Sequence, residues 1–191
     1  MSKATINFAT VNKDAITMLS TFQLAVHDLA YNENMLKARR DVLKADGVTD
    51  KKAMNEQTEP ERKAVARSKE RANTLATGFV LRYVSTEDAI AGDIYHFNIE
   101  AFLRNTGILT GDDVDKKALK KIEDVRNLVV DRYKVNIVAR RKGNEALTGG
   151  DTKEVKNTPI ELVLAIILAG IESGAWEYAG GGVVVKDFSK K

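Results

Sequence analysis

No cysteine occurs among the 191 residues, and that absence excludes disulfide scaffolding, thiolate catalysis and cysteine-ligated zinc or iron–sulfur centres. Histidine is almost as scarce. His27 and His96 are the only two, a poor supply for a metal centre or for a serine nucleophile that needs an imidazole base. A dominant charge is lacking as well: 30 Lys and Arg stand against 27 Asp and Glu, and a net charge of +3 is too balanced to imply nucleic-acid binding by itself. No apolar run approaches the roughly 20 residues needed to cross a bilayer. The start of the chain, Met1-Ser2-Lys3-Ala4-Thr5-Ile6, carries no apolar signal region. The expectation is a protein made and folded in the cytoplasm, without a membrane partner; export within an assembled particle would leave no trace in these features.

Proline occurs only as Pro60 and Pro159, and both mark helix starts. Thr158, Pro159 and Glu161 spell a capping box with proline at the first helical position, where its missing donor is no loss. Every residue from Ile160 to Ile171 except Glu161 lacks a polar side chain. A helix apolar on all sides yet too short for a bilayer is the central helix of a globular core. Thr58 and Glu61 around Pro60 repeat the signature and open a helix to about Val84, with Val65, Ala72, Leu75, Phe79 and Tyr83 as its core face.

Asn12 can cap a long helix ending near Gly47, in which Phe22, Leu29, Leu36 and Leu43 recur every seventh residue. Leu19 and Val26 widen that seam, whereas Glu33 and Arg40 do not, so the second half is predicted to be more exposed. Residues from Val48 to Gln57 read as a polar connection. Ser85 to Asp88 is a further start signal, leading through Ile90, Ile94, Phe97 and Ala101 to a stop at Asn105-Thr106-Gly107. Asp112, Asp113 and Asp115 then precede a helix carrying Leu119, Ile122, Val129, Tyr133 and Ile137 on one face. The β-branched residues Val129, Val130, Val135, Ile137 and Val138 also suit a strand, but no Gly or Pro breaks the run, so helix is the choice over 128–141. Gly143 to Asn157 reads as a surface loop, and its Thr148-Gly149-Gly150-Asp151-Thr152-Lys153 lacks the spacing of a phosphate-binding loop.

At the two ends the period changes. Ala4, Ile6 and Phe8 alternate with polar or small residues, and Val183 to Phe188 follows the run Gly180-Gly181-Gly182, so both segments are predicted to be extended arms. The fold class is therefore mainly α. It comprises an extended arm over 1–11, a single helical domain over 12–179 around the buried C-terminal helix, and a second arm over 180–191. An α+β fold with a small sheet is the alternative. Strand-like arms must satisfy their backbone groups, either with each other or with a neighbouring chain.

Three groups of residues could carry chemistry. Lys63, Arg67 and Arg71 line one helix face at i, i+4 steps, and Arg140, Arg141 and Lys142 sit near a helix C-terminus. Either group could contact phosphates or be an ordinary solvated face. Asp93, His96 and Glu100 share a face with metal-ligand spacing but lack a second Glu-x-x-His pair, because Leu24 stands where His27 would need the carboxylate. Small residues at Ala169, Gly170, Ser173 and Gly174 allow close packing, and Trp176 and Tyr178 suit either a core margin or an interface. No catalytic residue, cofactor or metal is assigned. The expected function is non-enzymatic: a helical protein acting through protein–protein contacts with a partner or with copies of itself, as a subunit or accessory of a larger assembly such as a virus-like particle. Ile6, Phe8, Val183, Val185 and Phe188 are its candidate contact residues. The alternative is a nucleic-acid-associated regulator or inhibitor using the basic helix faces.

Overall fold

The computed structural model describes residues 2–84, 98–131 and 159–187. Helix α1 spans Lys13–Ala45, and Asn12 caps it by accepting the Ala15 amide at 2.8 Å. Asn12 also ties this start to a distant segment, since its own amide donates to Thr106 O and its side chain donates to Asn105 O. At the other end Gly47 adopts φ +84°, the left-handed conformation that closes a helix cheaply only at glycine.

The stretch read as a polar connection contains a helix instead. Asp50 accepts the Ala53 amide at 2.8 Å and starts α2, Lys51–Gln57. That changes the role of Thr58. Already at the end of a helix, its hydroxyl turns back to donate to Met54 O at 2.8 Å and makes no cap bond to α3, Glu59–Tyr83. The expected start of α3 is right, but the capping box does not form. Ala72, Phe79 and Tyr83 are buried as their spacing predicts, while Val65 and Leu75 are half-buried.

A short helix α4, Ile99–Asn105, is capped by Asn98 and ends at Gly107 with φ +78°. Strand β1, Thr5–Ile6, pairs antiparallel with β2, Leu109–Thr110, in the register Thr5 to Thr110 and Ile6 to Leu109. Ala4 N to Asp113 O at 2.9 Å and the backbone bridge between Lys3 and Asp113 extend the contact. Asp115 caps α5, described over 116–131, by accepting the Ala118 amide at 2.8 Å. Ala118, Ile122 and Val129 form the buried face of α5, and Leu119, placed on that face by sequence, is 58% exposed. One residue is a rotation of about 100°, and the four-residue step from Ala118 to Ile122 sets the centre of the face. The segment 128–141 is helical as far as Asp131. Tyr133, Ile137, the start signal at Ser85 to Asp88 with Ile90, Ile94 and Phe97, the loop Gly143 to Asn157 and the cap at Thr158 lie outside the described residues.

Helix α6, Pro159–Glu172, is the centre of the core: Val163, Ala165, Ile166 and Ile167 are wholly buried, and none of residues 159–171 is exposed. It packs on α3, which runs antiparallel along α1. After α6 the chain forms a hairpin of β3, Trp176–Ala179, and β4, Gly182–Val185, turning at Gly180 and Gly181 with φ +59° and +85°. Two positive φ values are what a two-residue hairpin turn needs, and glycine supplies both. The glycine run thus sits inside regular structure, and the sequence boundary at 179/180 falls within one hairpin.

That hairpin explains the small residues of α6. Trp176 is fully buried, its ring lying where a side chain on Gly170 would be. Its Nε1 donates to Phe8 O at 2.8 Å, and the Phe8 ring meets it edge-on at a centroid distance of 5.4 Å. The N-terminal arm is therefore locked to the C-terminal hairpin through one tryptophan. Each arm finds its strand partner within the chain and not in the other arm: β1 pairs with the distant β2, and β4 with the adjacent β3. The result is mainly α with two small antiparallel sheets.

Candidate protein-contact surface

Full burial along α1 reaches Ala25 and resumes only at Leu43; along α3 it begins at Ala72. Between those limits, 26–42 of α1 and 59–71 of α3 form a two-helix projection with no third layer among the described residues. Its inner seam is the heptad stripe: Leu29, Leu36 and Val65 are half-buried there. Two polar links hold the helices side by side, Asn32 Nδ2 to Ser68 Oγ at 2.8 Å and Arg71 to Asp28 at 3.3 Å.

A second row of apolar side chains runs along the outside of α1. Leu24, Tyr31, Met35 and Val42 are 43%, 62%, 48% and 51% exposed. Ala38 and Ala45 complete alternating steps of three and four, and only Asp28, held by Arg71, interrupts the pattern. Leu24, Tyr31, Ala38 and Ala45 each lie two residues, a rotation of about 200°, beyond Phe22, Leu29, Leu36 and Leu43. Met35 and Val42 stand beside them on the edge nearer α3, so the row faces away from the inner seam. Near its start the β3–β4 turn covers α1: Gly182 abuts Ser20, and Gly181 lies against Leu24. Beyond Leu24 the row is open to solvent.

The flanks differ in charge. On the α3 side stand Arg39 and the row Lys63, Arg67 and Arg71; on the other stand His27, Asn34 and Asp41, and all seven are exposed. Lys63 pairs with Glu59 at 2.6 Å, and its hydrogen bond holds the Glu59 carboxyl below its usual range. Arg71 pairs with Asp28, while the Arg67 Nε donates to Lys63 O at 3.4 Å. Two of the three predicted phosphate contacts are thus already bound to carboxylates. Arg140, Arg141 and Lys142 lie outside the described residues.

The arm residues divide similarly. Phe8 and Val183 are 6% and 1% exposed, which removes them from any open contact surface, and Ile6 and Val185 are half-buried. Phe188 lies outside the described residues. Val184, between Val183 and Val185, is 37% exposed because successive strand residues point to opposite faces, and Tyr178, paired across the hairpin with Val183, is 50% exposed. Of the metal-spaced trio, Asp93 and His96 lie outside the described residues and Glu100 pairs with Arg104 at 3.0 Å. Among the described residues no group of three or more metal-ligating side chains gathers, and no helix is long and apolar enough to cross a membrane.

Sequence reasoning missed the outer row, although its signal was present as a second heptad beside the first. Comparison with protein-family models, with curated proteins and with solved structures finds no match to this chain.

Proposed function

We propose that this protein acts through protein–protein contact, as one component of a larger assembly, and that the outer face of the two-helix projection is the contact surface. The observation that carries this reading is the row Leu24, Tyr31, Met35 and Val42, large apolar side chains at helix-packing spacing and about half exposed. Single exposed apolar residues need no explanation, but an apolar row spanning several helical turns is what a partner helix covers. The pairing of Lys63 and Arg71 with carboxylates also favours a protein partner over a phosphate backbone.

Photo-crosslinking tests the reading. A photoreactive phenylalanine replacing Tyr31 should give a discrete heavier adduct in the native host, whereas the same group replacing the solvated Lys120 should give none. If both positions behave alike, the projection is not a contact surface.

A further inference from the structure

We infer that the partner covering the α1 outer face is a second copy of this chain, with the two α1 helices side by side and antiparallel about a two-fold axis that passes near residue 33. The inference rests on the contact reading above and specifies its occupant. Residues 24, 31, 38 and 45, alternating with 28, 35 and 42, follow the seven-residue period by which two helices share one seam, so the occupant is a helix carrying the same period.

The row itself is arranged symmetrically about residue 33. Leu24 and Val42 lie equally far from that point, as do Tyr31 and Met35, and as do Asp28 and Ala38. An antiparallel copy therefore lays Tyr31 on Met35 twice and Leu24 on Val42 twice, filling the seam with its four large apolar side chains. Asp28, the one charge in the row, then faces the small Ala38 of the other copy with Arg39 beside it. A parallel copy would set Asp28 against itself, and like charges so placed repel.

Charge on the flanks and the shape of the molecule agree. On the flank away from α3, antiparallel packing opposes His27 and Asp41, which also pairs with Lys44 at 3.7 Å, twice across the axis, with Asn34 near its own copy. Parallel packing would instead bring Asp41 toward Asp46, five residues on, which is the offset that joins flanking positions of parallel helices. It would also crowd both β3–β4 turns, which cover α1 at Ser20, at one end of the contact. Antiparallel copies overlap through their projections and, at each end, through Leu24 beside the β3–β4 turn. The Asn32–Ser68 bond sets Arg67 level with the axis, so the two Arg67 side chains come near one another, and Arg39 of each copy comes beside the Arg71 that holds Asp28 in the other; these like charges weaken the contact. With those charges, Asp28 and the alanine layers, the seam is modest, and the dimer should dissociate on dilution.

Three measurements on the purified chain decide it. Sedimentation equilibrium should show a concentration-dependent rise from 21.0 kDa to twice that mass, and Met35→Glu should abolish the rise with helix content unchanged. His27→Asp should weaken association about 2- to 30-fold, the scale for two exposed charge pairs, and adding Asp41→Lys should restore it. Because the chain has no cysteine, a single introduced thiol reports direction. Asn34→Cys, close to the axis, should be joined to its own copy by a short bis-maleimide. Ala38→Cys should not, since the antiparallel register carries it about 15 Å along the helix from its counterpart. A chain that stays at 21.0 kDa at every concentration overturns the second-copy inference, yet leaves the contact reading standing if the Tyr31 probe still captures a different protein in the host. A dimer in which Ala38→Cys cross-links and Asn34→Cys does not overturns the antiparallel arrangement.

Discussion

Replacing Gly170 with alanine sets two effects of opposite sign against each other. In a solvated helix the change is stabilising by about 1 kcal/mol, because glycine has the poorer helix propensity. Here the new methyl group would lie well inside van der Waals contact of the Trp176 ring atoms Cδ2, Cε3 and Cζ3. The ring has nowhere to retreat, being fully buried, fixed at Nε1 by Phe8 O and braced by the Phe8 ring. Overpacking a filled core is destabilising by about 1–3 kcal/mol. Pulling the indole N–H from its buried acceptor adds about 1–3 kcal/mol. Middle values leave a net loss of about 3 kcal/mol, a fall of roughly 6–12 °C in Tm for a chain of this size. Urea denaturation followed by the fluorescence of the sole tryptophan measures both parts, and the folded variant should emit to the red of the parent. Gly78→Ala is the matched control. It lies within α3 with nothing within 4 Å of its Cβ position, so it should be neutral or stabilising by up to about 1 kcal/mol. If Gly170→Ala is as stable as Gly78→Ala, Trp176 does not sit on α6 as described.

Ile167→Asp places a carboxylate at the centre of α6, where the native side chain is wholly buried, and should lower stability by several kcal/mol in urea titration. Asn12→Ala removes the cap of α1 and the tie to Asn105, so a loss of about 1–2 kcal/mol by the same titration is expected. Deleting residues 1–11 removes Phe8 from the Trp176 contact and should lower Tm and shift tryptophan emission to the red, while leaving far-UV circular dichroism per residue nearly unchanged. The Asp115 carboxyl is held below its usual range by the Ala118 amide, and that of Glu59 by the Lys63 hydrogen bond. Their contribution to stability is therefore complete above the ordinary carboxyl range and is lost as pH falls through the lowered folded values. Asp115→Asn with Glu59→Gln should flatten the acid limb of a Tm-versus-pH profile, and an unchanged limb would refute this assignment.

Much of the fold was legible because local rules acted without competition. Asn12, Asp115 and Gly107 end helices by satisfying or closing backbone groups within one turn, which sequence spacing alone specifies. The unbroken apolar run of α6 demanded burial whatever surrounded it. Thr58 shows where a local rule fails: its hydroxyl had two backbone partners within reach, and the preceding helix, itself unrecognised, decided between them. Leu119 failed by a single residue of phase.

What the sequence determined by itself is the set of elements and their apolar faces, because caps, turns and periodicity operate over a few residues of contiguous chain. Which faces meet was decided only by tertiary structure. Burial of Trp176 on Gly170 depends on two segments brought together by the turn at Ser173 and Gly174, and the N-terminal arm meets the C-terminal hairpin through Phe8 across most of the chain's length. Both heptad rows of α1 were written in the sequence. Only the position of α3 settles that the row of Leu29 and Leu36 turns inward and the row of Tyr31 and Met35 faces solvent, since one α3 helix packed along α1 covers one face and leaves the far one bare.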